Sequence, residues 1–312
     1  MNLHEKIKSK GQLNTPVLLL VFNRPDTTLQ VFKAIRIAKP SKLYIAADGA
    51  RKNVAGESKK VEEVRELITN NIDWKCEIHT LFRNRNLGCK YAVSTAIKWF
   101  FDNEEQGIIL EDDCVPSQSF FWYCEELLDY YKLDESIYMI SGDARGPESI
   151  NMTEDYSFCK YPLIWGWATW VRAWKNYDPE IKNWNYDEEL VINKISKHKS
   201  TQRYWKKIFN SIYNKVIDTW DYQFTYLVAK NNGKCIVPRL NLITNIGFNQ
   251  NATHTSNANS TSANRPRFVF DAPLKHLYNK DSEHNINEYF DKNEFTIQPL
   301  YYRLINKLRN LF

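Results

Sequence analysis

An alternation in the first 113 residues constrains this chain more than any other feature. Four short apolar runs, at residues 17–22, 42–47, 75–82 and 107–110, are separated by stretches with helical spacing. Leu29, Phe32 and Ile35 share one face of the first stretch, after Asp26, a residue type that caps helices. The second, residues 59–70, is charged; the third, residues 88–102, repeats Val93, Ile97, Phe100 and Phe101 at i, i+4, i+7 and i+8. Strands alternating with helices predict a parallel sheet covered on both faces. In such sheets ligands collect beyond the carboxyl ends of the strands. Asn23 and Arg24, Asp48, residues 83–86 and the triplet Glu111, Asp112, Asp113 all follow strand ends. That coincidence of polar groups is the first functional signal.

The second half is less regular. A helix is predicted over 118–132, a strand over 137–141, a helical stretch over 200–231 and a strand over 235–242. Trp205, Ile208, Ile212 and Val216 fall in register on that helical stretch. Between them lies the aromatic segment YPLIWGWATWVRAW, residues 161–174. Residues 245–267 are rich in Asn, Thr, Ser and Ala, which predicts a mobile loop suited to a lid. The final residues, PLYYRLINKLRNLF, form a short basic amphipathic helix in this reading. No internal repeat is visible.

Composition narrows the classes. Hydrophobic residues make up 43% and charged residues 25%, which excludes disorder, collagen and coiled coil. The longest apolar run has six residues, too short to span a bilayer. The polar, basic N-terminus lacks the apolar core of a secretory signal, so a cytoplasmic protein is expected. Six cysteines sit at irregular positions without a CxxC pair, which argues against zinc and thioredoxin-like chemistry and for reduced thiols. Forty-two basic against 37 acidic residues give +5, too mild and too interspersed to predict nucleic-acid binding. Aromatic residues reach 14%, a weak hint of sugar stacking beside their ordinary use in cores. Sequons at Asn151, Asn251 and Asn259 carry little weight without secretion.

The strongest local signal is IILEDD, residues 108–113. Successive carboxylates at a strand end repel one another unless a cation compensates them. Oxygen ligands suit Mg²⁺ or Mn²⁺ bridging to a diphosphate. The bland alternative is a solvated acidic turn before a helix. Arg83, Asn86 and Gly88 precede a helix whose backbone N–H groups, with a cation, can hold an anion; the alternative is simple capping by Asn86. In WGWATW, Gly166 permits close backbone approach and the Trp rings offer flat faces, whether for a sugar or for a core. Asp221, after Trp220, can accept a proton; with Asp218 it can equally line a polar helix face.

In order along the chain, VFNRPDTTLQ, AADGARK, NRNLG, LEDDCVPSQSFF, WGWATW, TWDYQF and GFNQNATHT resemble the GT-A fold of nucleotide-sugar-dependent glycosyltransferases. The order is similar to that of the animal mannoside β-1,2-N-acetylglucosaminyltransferase I family and its bacterial relatives in capsule and lipopolysaccharide assembly. These segments span residues 17–255, about three quarters of the chain. The resemblance implies an α/β GT-A, Rossmann-like sheet and a divalent metal, Mn²⁺ or Mg²⁺. It implies that Arg24 meets the nucleotide phosphates or base and that Asp48 bonds uracil N3 or ribose. Glu111 and Asp112 would contact donor ribose and sugar, and Asp113 would ligate the metal. Trp165 or Gly166 would lie beside the donor sugar with Trp220 nearby. Asp221 would be the general base of an inverting displacement, and His254 would bond pyrophosphate or metal. Lys90 stands where that family places a His, so the contact at this helix start differs.

The resulting expectation is an extension over residues 1–14, a GT-A domain over 15–267 and a C-terminal extension over 268–312. The donor is a nucleotide sugar, with a UDP-sugar favoured, and the acceptor a glycan hydroxyl that can be lipid-linked. Residues 300–312 either dock on the domain or make a weak peripheral contact at the inner face of the cell membrane. Two rivals belong to other classes: a non-catalytic carbohydrate-binding protein, and a Mg²⁺-dependent sugar nucleotidyltransferase. The first has no need of the acidic triplet, and the second normally carries a Gly-rich loop that FNRPDTT lacks.

Overall fold

The computed structural model describes residues 12–145, 152, 154–248, 263–270, 274–276 and 284–297, the last stretch from 286 on for side chains. His254, the three sequon asparagines, most of the expected lid and residues 300–312 lie outside the described residues.

The expected rhythm is present: β1 (Val17–Val21), α1 (Pro25–Ala38), β2 (Lys42–Ala47), α2 (Glu57–Thr69), β3 (Glu77–Phe82), α3 (Gly88–Phe101) and β4 (Gln106–Glu111). There follow β5 (Cys114–Pro116), α4 (Gln118–Tyr130), β6 (Ile137–Ser141), β7 (Tyr156–Cys159), β8 (Trp167–Trp170) and α5 (Val171–Trp174). The chain continues with α6 (Trp184–Ile195), α7 (Lys199–Tyr213), α8 (Asp221–Lys230), β9 (Lys234–Pro238), β10 (Ile243–Asn245) and α9 (His284–Tyr289). One eight-stranded sheet runs β3-β2-β1-β4-β8-β6-β9-β7, and β10 pairs with β5 as a separate ribbon. Strands β3, β2, β1 and β4 are parallel, as is β6 with β9, while β8 and β7 run antiparallel to their neighbours. The expectation of an α/β protein with a mostly parallel sheet flanked by helices holds.

Every residue of β1 is buried, and its side chains alternate between two cores. Val17, Leu19 and Val21 pack with α1, α2 and α4; Leu18 and Leu20 pack with α3, α6, α7, α8 and Ile286 of α9. Each such side chain contributes about 1.5–3 kcal/mol through burial. The aromatic segment enters the sheet: β8 wedges between β4 and β6, with Ala168 opposite both Ile108 and Ile140. Most of the tryptophan content is therefore interior. Among the described residues no helix is long and apolar enough to cross a membrane.

Three local expectations need correction. The helical stretch 200–231 is two helices, broken where Lys215 takes φ 58°, and Val216 is 73% exposed instead of on the apolar face. The break lets the segment before α8 reach across to α3. The strand expected over 235–242 ends at Pro238, which cannot donate to a ladder, and the chain restarts as β10. Residue 24 caps α1 instead of Asp26, because Pro25, with its fixed φ, suits the first helical position.

Candidate active site

The carboxyl ends of β1 and β4 are adjacent, so Arg24 meets the acidic triplet. Thr28 Oγ1 donates to the Arg24 carbonyl at 2.6 Å, which steadies the backbone there. The guanidinium engages Asp112 through Nε and Nη2, and its Nη1 lies 2.9 Å from Asp113 Oδ2. Burial acts against its charge, but Asp112 and Asp113 hold the Arg24 pKa above its ordinary value. Glu111 is left over. Its Oε1 is enclosed without a hydrogen-bond partner among the described residues. Burial, with Asp113 and Asp112 beside it, pushes Glu111 up to about 8. Burial likewise lifts Asp112 to about 6, against the pull of Arg24. Among the described residues, Arg24 is the only base within ion-pair distance of the triplet. One guanidinium faces three carboxylates, so the cluster is short of positive charge.

The ends of β2 and β3 form a second cluster with a different balance. Asp48 is buried, yet its carboxylate accepts bonds from Gly49 N at 2.9 Å, Asn86 Nδ2 at 2.9 Å and Leu87 N at 3.0 Å. Burial raises its pKa although the Leu87 and Gly49 N–H groups and the Arg83 charge pull the other way. Asn86 is thus a clamp on Asp48 and on the Gly49 carbonyl, and it does not cap α3. Arg83 turns to Thr95 Oγ1 at 2.8 Å. The α3 N-terminus, predicted to hold an anion, already has one from within the chain. Asp218 accepts from Cys89 N and Lys90 N, both at 3.1 Å. Gly88 has φ +78°, and a Cβ there would lie 2.7 Å from Asp218 Oδ2. Lys90 is buried and reaches Glu180 Oε1 at 2.8 Å, away from the triplet.

Asp218 also positions the start of α8. Trp220 is 2% exposed, stacks on Trp167 at 5.7 Å, and its carbonyl accepts from Tyr177 Oη at 2.8 Å. It is core and carries no exposed face for a ligand. Aromatic pairs of this kind contribute about 0.5–1.5 kcal/mol beyond burial, so the position of α8 is firmly set. Asp221 opens α8, with the Thr219 hydroxyl bonded to its Oδ1. The Asp221 charge acts on Glu111 and on Cys89. Cys89, whose thiol pKa is raised by burial first, also feels Glu111, Asp218 and Asp48. The thiol therefore sits among acids drawn from separate parts of the chain.

The β5–β10 ribbon delivers the last wall. Ile246 N donates to the Asp113 carbonyl at 2.9 Å, and a Cβ on Gly247 would strike the Asp113 carboxylate. Phe248 then meets Trp165 edge to face at 5.6 Å, and Arg145 lies over the Trp165 ring at 4.1 Å. Gly166, at φ +62°, packs against Ile243, where a Cβ has no room.

The structure thus gathers Arg24, Asp48, Glu111, Asp112, Asp113, Asp221 and Asn86 at one edge, with Trp165 at its rim. It turns Lys90 elsewhere and buries Trp220, while Arg83 bonds Thr95 with its charge still acting on Asp48. Sequence reasoning missed Cys89 and Arg145 and gave Asp218 only a surface role. The pairing of Gly88 with a distant Asp had no local signal.

Comparison with known proteins adds little beyond the architecture. No family model and no curated protein matches the chain. Similar solved structures include the mannosyltransferase PcManGT from Pyrobaculum calidifontis in complex with GDP-Man and Mn²⁺, at 8% identity over 72% of this chain and 70% of that one, TM-score 0.40. Another is HddC from Yersinia pseudotuberculosis, at 12% identity over 40% of this chain and 56% of that one, TM-score 0.28. A UDP-glucose pyrophosphorylase complexed with UDP-glucose matches at 10% identity over 70% and 98%, TM-score 0.29. These overlaps are too partial to carry chemistry.

The donor set itself suits a divalent cation. Among the described residues no three His, Cys, Asp or Glu side chains are grouped so as to hold a metal ion between them. Mg²⁺-type sites, however, commonly use one or two carboxylates and leave the rest to water and phosphate oxygens. The surplus carboxylate charge and the orphaned Glu111 Oε1 fit such a partial shell.

Proposed function

We propose that this protein is a metal-dependent inverting glycosyltransferase. It moves a sugar from a nucleotide-diphosphate donor, a UDP-sugar in the favoured case, to a hydroxyl of a growing glycan. The observation that carries the reading is the charge deficit at the end of β4, with Asp221 brought to it from the far half of the chain. Asp113 would hold Mn²⁺ or Mg²⁺ with Glu111 beside it, and the bound ion would supply Lewis-acid neutralisation of the departing diphosphate. Arg24 keeps Asp112 and Asp113 aligned and tempers their repulsion. Asp221, its carboxylate oriented by Thr219, takes the acceptor hydroxyl proton as that oxygen bonds to the anomeric carbon. The bond to the diphosphate oxygen breaks on the opposite face, so the configuration inverts. Asp48 and Asn86 shape the floor for the nucleotide base or ribose, and Trp165 borders the sugar. His254 would approach the diphosphate from the lid.

The proposal extends to the cell. The sugar would enter a bacterial surface polysaccharide, built in the cytoplasm or at the inner face of the membrane, where residues 300–312 would meet a lipid-linked acceptor. Deleting 300–312 should then abolish flotation with anionic liposomes at low salt and leave the melting temperature unchanged.

A thermal-shift panel of UDP-, GDP- and CMP-sugars, with and without Mn²⁺, tests the core reading, because a ligand of the native state raises Tm. One nucleotide sugar should stabilise the protein only when Mn²⁺ is present. Stabilisation by free glycans alone would indicate a binding protein. Stabilisation by a nucleoside triphosphate, with pyrophosphate release, would indicate a nucleotidyltransferase.

A further inference from the structure

At the rim, next to Trp165, stands a charged group that the mechanism above does not use. Asp143, just after β6, is 1% exposed, and its N–H donates to Ser141 Oγ at 3.1 Å. Its carboxylate accepts Arg145 Nε at 2.7 Å and lies 3.3 Å from Arg265 Nη1. Two guanidiniums therefore share one buried carboxylate, and among the described residues no second carboxylate lies within ion-pair distance of either. Neither is loose. Arg145 lies over Trp165 at 4.1 Å, and Arg265 donates to the Ala144 carbonyl. Their side chains keep 18% and 24% exposure, so the pair is anchored from beneath and open above. Through Trp165 and Phe248 the pair adjoins Gly247, which abuts Asp113. Tyr204 and Tyr222 feel the charges of both Arg145 and Asp221, so the guanidinium stands on the side of the proposed base.

We propose that Arg145 and Arg265 form an anion subsite for the acceptor, taking a carboxylate or phosphate carried on the acceptor sugar. The acceptor is favoured because the glycosyltransferase reading puts the donor diphosphate at Asp113, and Phe248 and Trp165 stand between Gly247 there and Arg145. Guanidinium forks suit planar anions, and a fork held by a buried carboxylate loses little freedom on binding. Trp165 beneath Arg145 adds a flat apolar border for the ring that bears the acid. This inference rests on the glycosyltransferase reading and assigns that site an acidic acceptor.

The experiment is calorimetry on the full chain saturated with UDP and Mn²⁺, titrated with methyl glucuronide, glucose 6-phosphate and neutral methyl glucoside. At least one acidic probe should bind about tenfold more tightly than the neutral one, a difference of roughly 1.4 kcal/mol. Arg145→Gln and Arg265→Gln should each erase that preference while UDP affinity stays within about twofold. Should Arg145→Gln melt early, Arg145→Lys keeps the charge without the fork and should retain only part of the preference. Equal affinity for acidic and neutral probes in the native protein would overturn the subsite and leave the donor reading standing. Loss of UDP affinity in the arginine variants would hand the pair to the donor diphosphate and overturn it too. A native protein that binds none of UDP, GDP and CMP would instead remove the glycosyltransferase reading itself.

Discussion

At the end of β2, the buried Asp48 carboxylate accepts from Gly49, Asn86 and Leu87, all neutral donors. At the end of β4, Glu111, Asp112 and Asp113 share a single guanidinium, and Glu111 Oε1 has no partner among the described residues. The two clusters occupy one edge of one sheet. They differ in whether the fold completes their hydrogen bonding and charge. Asp48 is satisfied by the chain, so its first duty is to tie the β2 and β3 ends together. The triplet is left incomplete, at a cost in stability that a proton on Glu111 or a bound cation offsets. An incomplete buried cluster is a sharper functional signal than a complete one of similar composition.

The largest expected effect tests the incomplete cluster. Asp113→Asn should abolish Mn²⁺-dependent nucleotide binding and cut transfer by about 10³-fold, the several kcal/mol that a Lewis acid supplies. The fold should survive, as calorimetry and circular dichroism can check; unchanged nucleotide affinity with and without metal would remove Asp113 from the metal site. Next comes the base. Asp221→Asn should lower kcat by roughly 10²–10⁴ with donor affinity near normal. Near-native turnover with an authentic acceptor would rule it out.

The complete cluster should respond in stability first. Asp48→Ala leaves Leu87 N–H and Asn86 without their acceptor, which costs about 1–3 kcal/mol. The melting temperature should fall by roughly 2–10 °C. If Asp48→Ala instead leaves Tm unchanged and eliminates nucleotide binding, the contrast between the two clusters collapses. The smallest effect belongs to Asp218, which completes α3 from a distance. Asp218→Ala should cost about 1 kcal/mol, as cap losses do. It should also lower kcat more than it raises KM, because Asp221 lies three residues on; Asp218→Asn, which keeps an acceptor, should recover part of both. A loss of stability with kcat untouched would reduce Asp218 to a cap.

Much of this was legible in the chain. The apolar run VLLLVF and the spacing of Val93, Ile97 and Phe100 dictate strands and helices through local geometry alone. Once strands are parallel, their carboxyl ends must lie together, so Arg24, Asp48 and the triplet could be placed at one edge from pattern alone. Local pattern also misled. Val216 fits a helical face but is exposed, because Lys215 breaks the helix where the chain must turn.

By itself, then, the sequence determined the layered α/β frame and the strand-end positions of its acids, since both follow from side-chain periodicity along contiguous residues. Which acids are satisfied was decided only in three dimensions. Asn86 turned to Asp48, Asp218 filled the N-terminus of α3, and Trp220 went into the core against Trp167. Arg145 and Arg265, far apart along the chain, met on Asp143. Each of those outcomes depends on a partner remote in sequence, and the energy of a buried charge depends on its partners.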